Sequence, residues 1–261
     1  MPEDQILRDE LSGGVLTLTL ARPQSFNAFT RRLALELQAQ LRRADEDRGV
    51  RVVVLTGEGR AFCAGQDLQE LLGDDAPAME RILDEHFNPV VELIRGCRCP
   101  VIAAVNGVAA GAGANIAAAC DIVLAAESAS FIQAFAKIGL IPDSGGTWTL
   151  PRIIGWQRAS ALMLTGDKLD AATAERWGLV YRVYPDAELA AEARGLAERL
   201  AGMPARAFDL TKRALRASEG ATLTQQLATE GELQLEASAT HDYGEGVRAF
   251  VEKRRPVFRG E

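Results

Sequence analysis

The clearest hydrophobic pattern near the start of the chain is Val15–Leu20, where Leu16, Leu18 and Leu20 alternate with Thr17 and Thr19. That period of two predicts a half-buried strand, closed by Ala21-Arg22-Pro23. Leu33, Leu37 and Leu41 then recur at helical spacing, so a helix is predicted from Thr30, its N-cap, to near Gly49. Arg51–Thr56 is a β-branched run bounded by Gly57 and Gly59, the pattern of a buried strand. Residues 77–95 carry helical spacing with a kink or break at Pro89. Two further buried strands, 101–105 and 122–125, flank a helix of small residues beginning near Gly111.

A short extended piece is predicted at Phe131, followed by the loop Gly139-Leu-Ile-Pro-Asp-Ser-Gly-Gly146. Asp170 is placed to cap a short helix ending at Trp177, and Leu179–Tyr184 reads as a last strand. Residues 186–201, 205–218, 222–238 and 242–253 are rich in Ala, Leu and Arg at helical spacing. Strands interleaved with helices and then a helical tail predict an α/β core, residues 1–200, with a helical C-terminal region, residues 201–261.

Composition narrows the function. The 261 residues carry 29 basic and 36 acidic side chains, a net charge of −7. Nucleic-acid and membrane-surface partners need a positive field, so neither is expected. The arginines at 31, 32, 42 and 43 are interleaved with Glu36, Asp45, Glu46 and Asp47, as on a solvated helix face. Cys63, Cys97, Cys99 and Cys120 form neither a disulfide framework nor a zinc set. Together with an opening Pro2-Glu3-Asp4 that matches no signal or transit peptide, this points to the cytoplasm. The uncharged stretch 99–120 contains Pro100, Asn106, Asn115 and many Ala and Gly, so it reads as strand, turn and packed helix rather than a membrane span.

Two glycine-rich turns could carry chemistry, Phe62–Asp67 and Gly107–Gly113. Free N–H groups at such turns can stabilise an oxyanion; tight strand–helix packing explains the same glycines. A dinucleotide fingerprint fails, because Gly111 and Gly113 lack the third glycine and the downstream acid. Asp143 is either a general base or the cap of the helix after it. Ser144 is not in a nucleophile elbow, and neither His86 nor His241 neighbours a nucleophile.

Phe62-Cys-Ala-Gly-Gln-Asp67, Pro100–Gly107 with Gly111-Ala-Gly113, Cys120-Asp121, Gly139–Gly146, Leu164–Asp167, Trp177–Val180 and Phe250–Arg254 with Phe258 together resemble the enoyl-CoA hydratase/isomerase (crotonase) superfamily. The resemblance spans nearly the whole chain. It implies a spiral of ββα units, an acyl-CoA thioester substrate with no separate cofactor or metal, and homotrimers or hexamers built through the C-terminal helices. Association with other enzymes of phenylacetate or fatty-acid degradation is a further implication.

The resemblance puts the oxyanion donors on the backbone N–H groups of Gln66 and Ala112 and a coenzyme A contact on Ala64, with Phe250 and Lys253 reaching towards the coenzyme A of a neighbouring subunit. Asn115 and Phe135 stand where the hydratases of the superfamily carry two glutamates, which leaves Asp143 as the working carboxylate. An amide is no base at neutral pH and a phenyl ring excludes water, so isomerisation is expected rather than hydration. The segments Ala134–Asp143 with Gly145–Trp148, and Asp242-Tyr243 with Glu245–Val247, resemble the branch that isomerises ring epoxides of phenylacetyl-CoA and shifts 3-enoyl double bonds to the 2-position. The alternatives are another activity of the superfamily (hydration or aryl-CoA dehalogenation), or a silent acyl-CoA-binding or RNA-binding relative.

Overall fold

The computed structural model describes residues 5–72 and 76–261. Pro2, Glu3 and Asp4 lie outside the described residues. The alternating Leu/Thr strand forms as β2 (Val15–Leu20), and it pairs antiparallel with a preceding strand, β1 (Leu7–Ser12), that the sequence pattern did not predict. Only Leu7 of β1 is buried, so its residues show no apolar alternation to read.

From there the chain repeats one unit three times. A long strand is followed by a three-residue strand and then by helix: β3 (Val52–Gly57) and β4 (Ala61–Cys63), β5 (Val101–Val105) and β6 (Val108–Ala110), β7 (Ile122–Ala126) and β8 (Ser130–Ile132). The first strand of each unit joins one sheet and the second joins another. With β9 (Lys168–Asp170) and β10 (Arg182–Tyr184), the orders are β1-β2-β3-β5-β7-β10 and β4-β6-β8-β9. In each sheet the strands of successive units pair parallel. This is the expected spiral of ββα units. Apart from Thr56 in β3, the long strands of the three units are apolar because both faces of the large sheet are covered, as parallel sheets require; β5 is buried at all five positions.

The 31–46 helix starts at Thr30, whose side chain accepts from the Leu33 N–H, and ends at Glu46, three residues short of Gly49. Pro89 does not break the next helix. Met79–Arg81 runs into a π-helical turn, Ile82–Phe87, and then Asn88–Gly96. Proline has no N–H to offer the carbonyl four residues earlier. Here that carbonyl, on Glu85, accepts instead from the buried Gln38 Nε2 at 2.6 Å. The uncharged stretch 99–120 is β5, β6 and the helix Ala112–Ala119, and no helix among the described residues is long and apolar enough to cross a membrane.

Asp170 caps its helix through the Thr173 N–H, as expected. The 165-to-146 region holds two helices, Gly146–Ile154 and Trp156–Thr165. The last strand is shorter than predicted, since Leu179 and Val180 are buried but unpaired in the sheet. The four helices of the C-terminal half form at Leu189–Ala201, Ala205–Ser218, Leu223–Ser238 and His241–Glu252. The first of them packs on the large sheet, and the third begins with a capping box between Thr222 and Gln225.

Candidate active site

Three segments leave the carboxyl ends of adjacent parallel strands in the small sheet. Residues 64–67 follow β4, residues 111–115 follow β6, and residues 133–146 follow β8. Carboxyl ends of parallel strands are where α/β folds bind ligands. The ββα repeat therefore brings together pieces of chain separated by up to about eighty positions.

After β4, Ala64 donates to Phe26 O, Phe29 donates to Gly65 O, and Asp67 donates to Phe29 O. These bonds form a parallel bridge between Phe29 and Gln66. In that geometry the N–H of Gln66 itself points away from Phe29, and it has no acceptor among the described residues. Asp67 is held by the Arg22 guanidinium at 2.7 Å and caps the short 3-10 turn Leu68–Leu71 through Gln69 N–H. Arg22 also donates to Ala28 O, so one half-buried arginine ties the Gln66 turn to the segment beneath it.

After β6, Gly111 takes φ +53° and ψ −128°, a conformation open to glycine alone, and the helix begins at Ala112. The Ala112 N–H is thus one of the unpaired donors of a helix N-terminus, and it too lacks an acceptor among the described residues. A Cβ on Gly65 would lie 3.3 Å from Ala112 N, so the two turns touch. Behind them, a Cβ on Gly113 would fall 2.3 Å from Cys63 O. Tight packing, one of the two readings left open above, is present, and it brings the turns that carry the two free N–H groups into contact.

After β8, Phe135 is buried, and a Cβ on Gly111 would lie 3.7 Å from its ring edge. Asp143 does not cap the following helix. That helix starts after Gly145 with no side-chain cap, and only the main-chain carbonyl of Asp143 accepts from Gly146 N–H. The Asp143 carboxylate instead accepts from Ser144 Oγ at 2.8 Å through Oδ1. Burial raises its pKa above the ordinary aspartate value, and the Ser144 hydroxyl opposes that rise. Asn115 is 1% exposed. Its Nδ2 donates to Asp143 O at 2.8 Å, and its Oδ1 accepts from Gln133 Nε2 at 2.9 Å.

Ala64, Gln66, Ala112, Phe135 and Asp143 line one cavity of about 290 Å³. Its remaining wall is apolar and includes Leu68, Leu71, Met79, Ile82, Phe87, Ile138 and Leu140. Among the described residues, Asp143 is the sole ionisable side chain in this lining. Ile141 and Trp148 do not make the apolar surroundings of Asp143: Ile141 is 81% exposed, and Trp148 lies between Arg95 and Arg152, with cation–ring distances of 4.7 and 4.1 Å, beside a separate cleft. Phe250 and Lys253 do not line the cavity of their own chain; Phe250 is 86% exposed. His86 is a packing residue, buried in the π-helical turn, and desolvation lowers its pKa.

Sequence reasoning missed the contribution of the 79–96 helix, because residues 68–87 could not be placed without the fold; 73–75 lie outside the described residues. It also missed Arg22, Gln133 and the Ser144 hydroxyl. A serine directly before Gly145-Gly146 was the available signal for the last of these.

A fold of stacked ββα units with two free N–H groups converging on an apolar cavity defines a family. Residues 10–261 match the model of the enoyl-CoA hydratase/isomerase family, and the chain belongs to that family, within the crotonase superfamily. It is 46% identical to a protein of Rhodobacter capsulatus named as a probable enoyl-CoA hydratase, covering 97% of this chain and 98% of that one. It is 44% identical to the 1,2-epoxyphenylacetyl-CoA isomerase of Escherichia coli, over 98% of this chain and 99% of that one. Among solved structures, the enoyl-CoA hydratase of Bacillus anthracis superposes with a TM-score of 0.92 at 36% identity, covering 98% of this chain and all of the other.

Proposed function

We propose that the protein is an acyl-CoA isomerase, acting on ring-1,2-epoxyphenylacetyl-CoA (to the oxepin), on 3-enoyl-CoA (to 2-enoyl-CoA), or on both. The observation that carries this reading is the lining of the cavity, which among the described residues holds one carboxylate, two free backbone donors and otherwise apolar or amide groups. The likeness to the E. coli isomerase supports it. The likeness to proteins named as hydratases favours water addition, which the residues at 115 and 135 speak against.

In this reading the thioester oxygen sits between the N–H groups of Gln66 and Ala112. For the double-bond shift, Asp143 takes a proton from C2, the electron pair moves onto the thioester oxygen, and the same carboxyl returns the proton at C4. The C3=C4 bond becomes C2=C3, with no net gain or loss of atoms. For the epoxide, the same oxyanion donors hold the thioester while Asp143 assists ring opening. Phe135 keeps water from the intermediate. The site holds no separate cofactor; Ala64 contacts coenzyme A, and Phe250 and Lys253 reach it from a neighbouring subunit. Assembly into trimers or hexamers belongs to the same reading, supported by Leu223, Leu227 and Leu235, all exposed on one C-terminal helix. A cytoplasmic setting and association with other acyl-CoA-degrading enzymes complete it.

Asp143→Asn tests the assignment. It keeps the side chain's size and removes the base. Isomerisation should fall by about 10²–10⁴-fold in kcat while acyl-CoA still binds; full activity would refute the assignment.

A further inference from the structure

Ser144 is 2% exposed and has φ +51°, the left-handed region that a β-carbon disfavours. Turns needing that conformation ordinarily use glycine or asparagine, and the next residue here, Gly145 at φ +72°, does so. A buried serine kept in a costly conformation calls for a compensating contact. The contact is its hydroxyl, which donates to Asp143 Oδ1 at 2.8 Å. The main chain of Asp143 is fixed separately, its carbonyl accepting from Asn115 Nδ2 and from Gly146 N–H, each at 2.8 Å. The carboxylate's Oδ2 is left with no side-chain donor among the described residues, and is free to exchange a proton with a substrate.

We propose that Ser144 is a positioning residue: its strained backbone aims a hydroxyl at Oδ1, which holds Asp143 ionised and presents Oδ2 to the substrate. The inference rests on the reading of Asp143 as the proton carrier. Hydrogen bonding to a carboxylate favours its charged form, while the apolar cavity favours the neutral one. Among the described residues, no other charged group lines the cavity. Glu70 accepts from Gln66 Nε2 and Arg31 N, Glu85 pairs with Arg31 and Arg81, and the Lys137 stem lies against Gly166. His86 is buried on the 79–96 helix, outside the cavity lining, and its neutral form is favoured by burial. Ser144 is thus the one side chain that donates to the carboxylate of Asp143 among the described residues.

The test compares Ser144→Ala and Ser144→Gly with the unaltered protein, reading the Asp143 carboxyl directly by ¹³C NMR titration and, in parallel, kcat/KM for a 3-enoyl-CoA against pH. Loss of a charge-assisted hydrogen bond should raise the carboxyl's midpoint by about one pH unit in both variants. The acid limb of the rate profile should move up with it, and activity should recover at higher pH, where the base is ionised again. Ser144→Gly removes the backbone strain, so it should be the more stable of the two while showing the same shift, and it keeps the test open should the alanine variant fold poorly. An unmoved carboxyl midpoint and an unmoved acid limb, with stability alone changed, would overturn the proposal. Asp143→Asn separates the two claims: if that variant is fully active, the proton-carrier reading fails, whereas the NMR titration still decides whether Ser144 controls the carboxyl.

Discussion

Asp143 is held at a disadvantage. Burial makes its charged form costly, so its carboxyl titrates above the ordinary aspartate value. The consequence for stability has a definite sign. A group whose folded pKa is raised contributes stability below its unfolded pKa and loses that contribution as pH rises through the folded value. Asp143→Asn should therefore be at least as stable as the unaltered protein at neutral pH, and its advantage in Tm should grow as pH is raised from below Asp143's ordinary value to neutrality. Activity runs the opposite way, since a proton acceptor must be ionised: kcat/KM should decline on acidification at a higher pH than an ordinary aspartate would give. A variant less stable than the parent and still active would mean that the carboxylate is structural. The loss expected in catalysis, 10²–10⁴-fold, corresponds to about 2.7–5.5 kcal/mol of transition-state stabilisation.

Elements set the spacing of the two N–H donors. β4 and β6 are only three residues long, and their loops meet because the helix after β6 rests on Cys63 through Gly113. A methyl group at 113 has no room against a backbone carbonyl, so Gly113→Ala must push the Ala112 turn away from the Gln66 turn. Overpacking of this kind costs roughly 1–3 kcal/mol of stability. Displacing one donor by about an ångström should lower kcat by about 10²-fold. Stopped-assay kcat and thermal denaturation together check this; a variant that loses stability but keeps kcat would show that the turn spacing does not matter to the reaction. The same short strands explain what could be read in advance. β3, β5 and β7 announce themselves as apolar runs, and Thr30 and Asp170 as caps. A three-residue strand has no period to detect, so β4, β6 and β9 were invisible, and Pro89 misled because its compensating donor, Gln38, lies on another helix.

At the scale of the molecule, the site residues came from resemblance and the reasons for their roles came from topology. Nothing in the spacing of Gln66, Ala112 and Asp143 along the chain says that they meet; the threefold ββα repeat does. Acyl-group selection was illegible because the wall residues Met79, Ile82 and Phe87 arrive from a helix outside the small sheet. The C-terminal tail folds back onto the last helix. Asp242 accepts from the N–H groups of Arg259 and Gly260, and Glu245 accepts from Arg254 and from Val257 N–H. The Arg254 guanidinium holds Glu245 down at about 2. Removing residues 242–261 takes away the last helix together with its folded-back tail and, if that helix bridges subunits, should yield a smaller, less stable species with weaker acyl-CoA affinity. Sedimentation of the truncated chain checks this, and an unchanged assembly with unchanged affinity would contradict it.

The central claim is that the site moves protons and excludes water. The most direct measurement offers crotonyl-CoA and a 3-enoyl-CoA to the same preparation and follows products by mass and absorbance. The expected result is conversion of the 3-enoyl thioester to its 2-enoyl isomer with no change in mass, and negligible gain of water by crotonyl-CoA. Brisk hydration of crotonyl-CoA, with the 3-enoyl thioester left unchanged, would contradict the account.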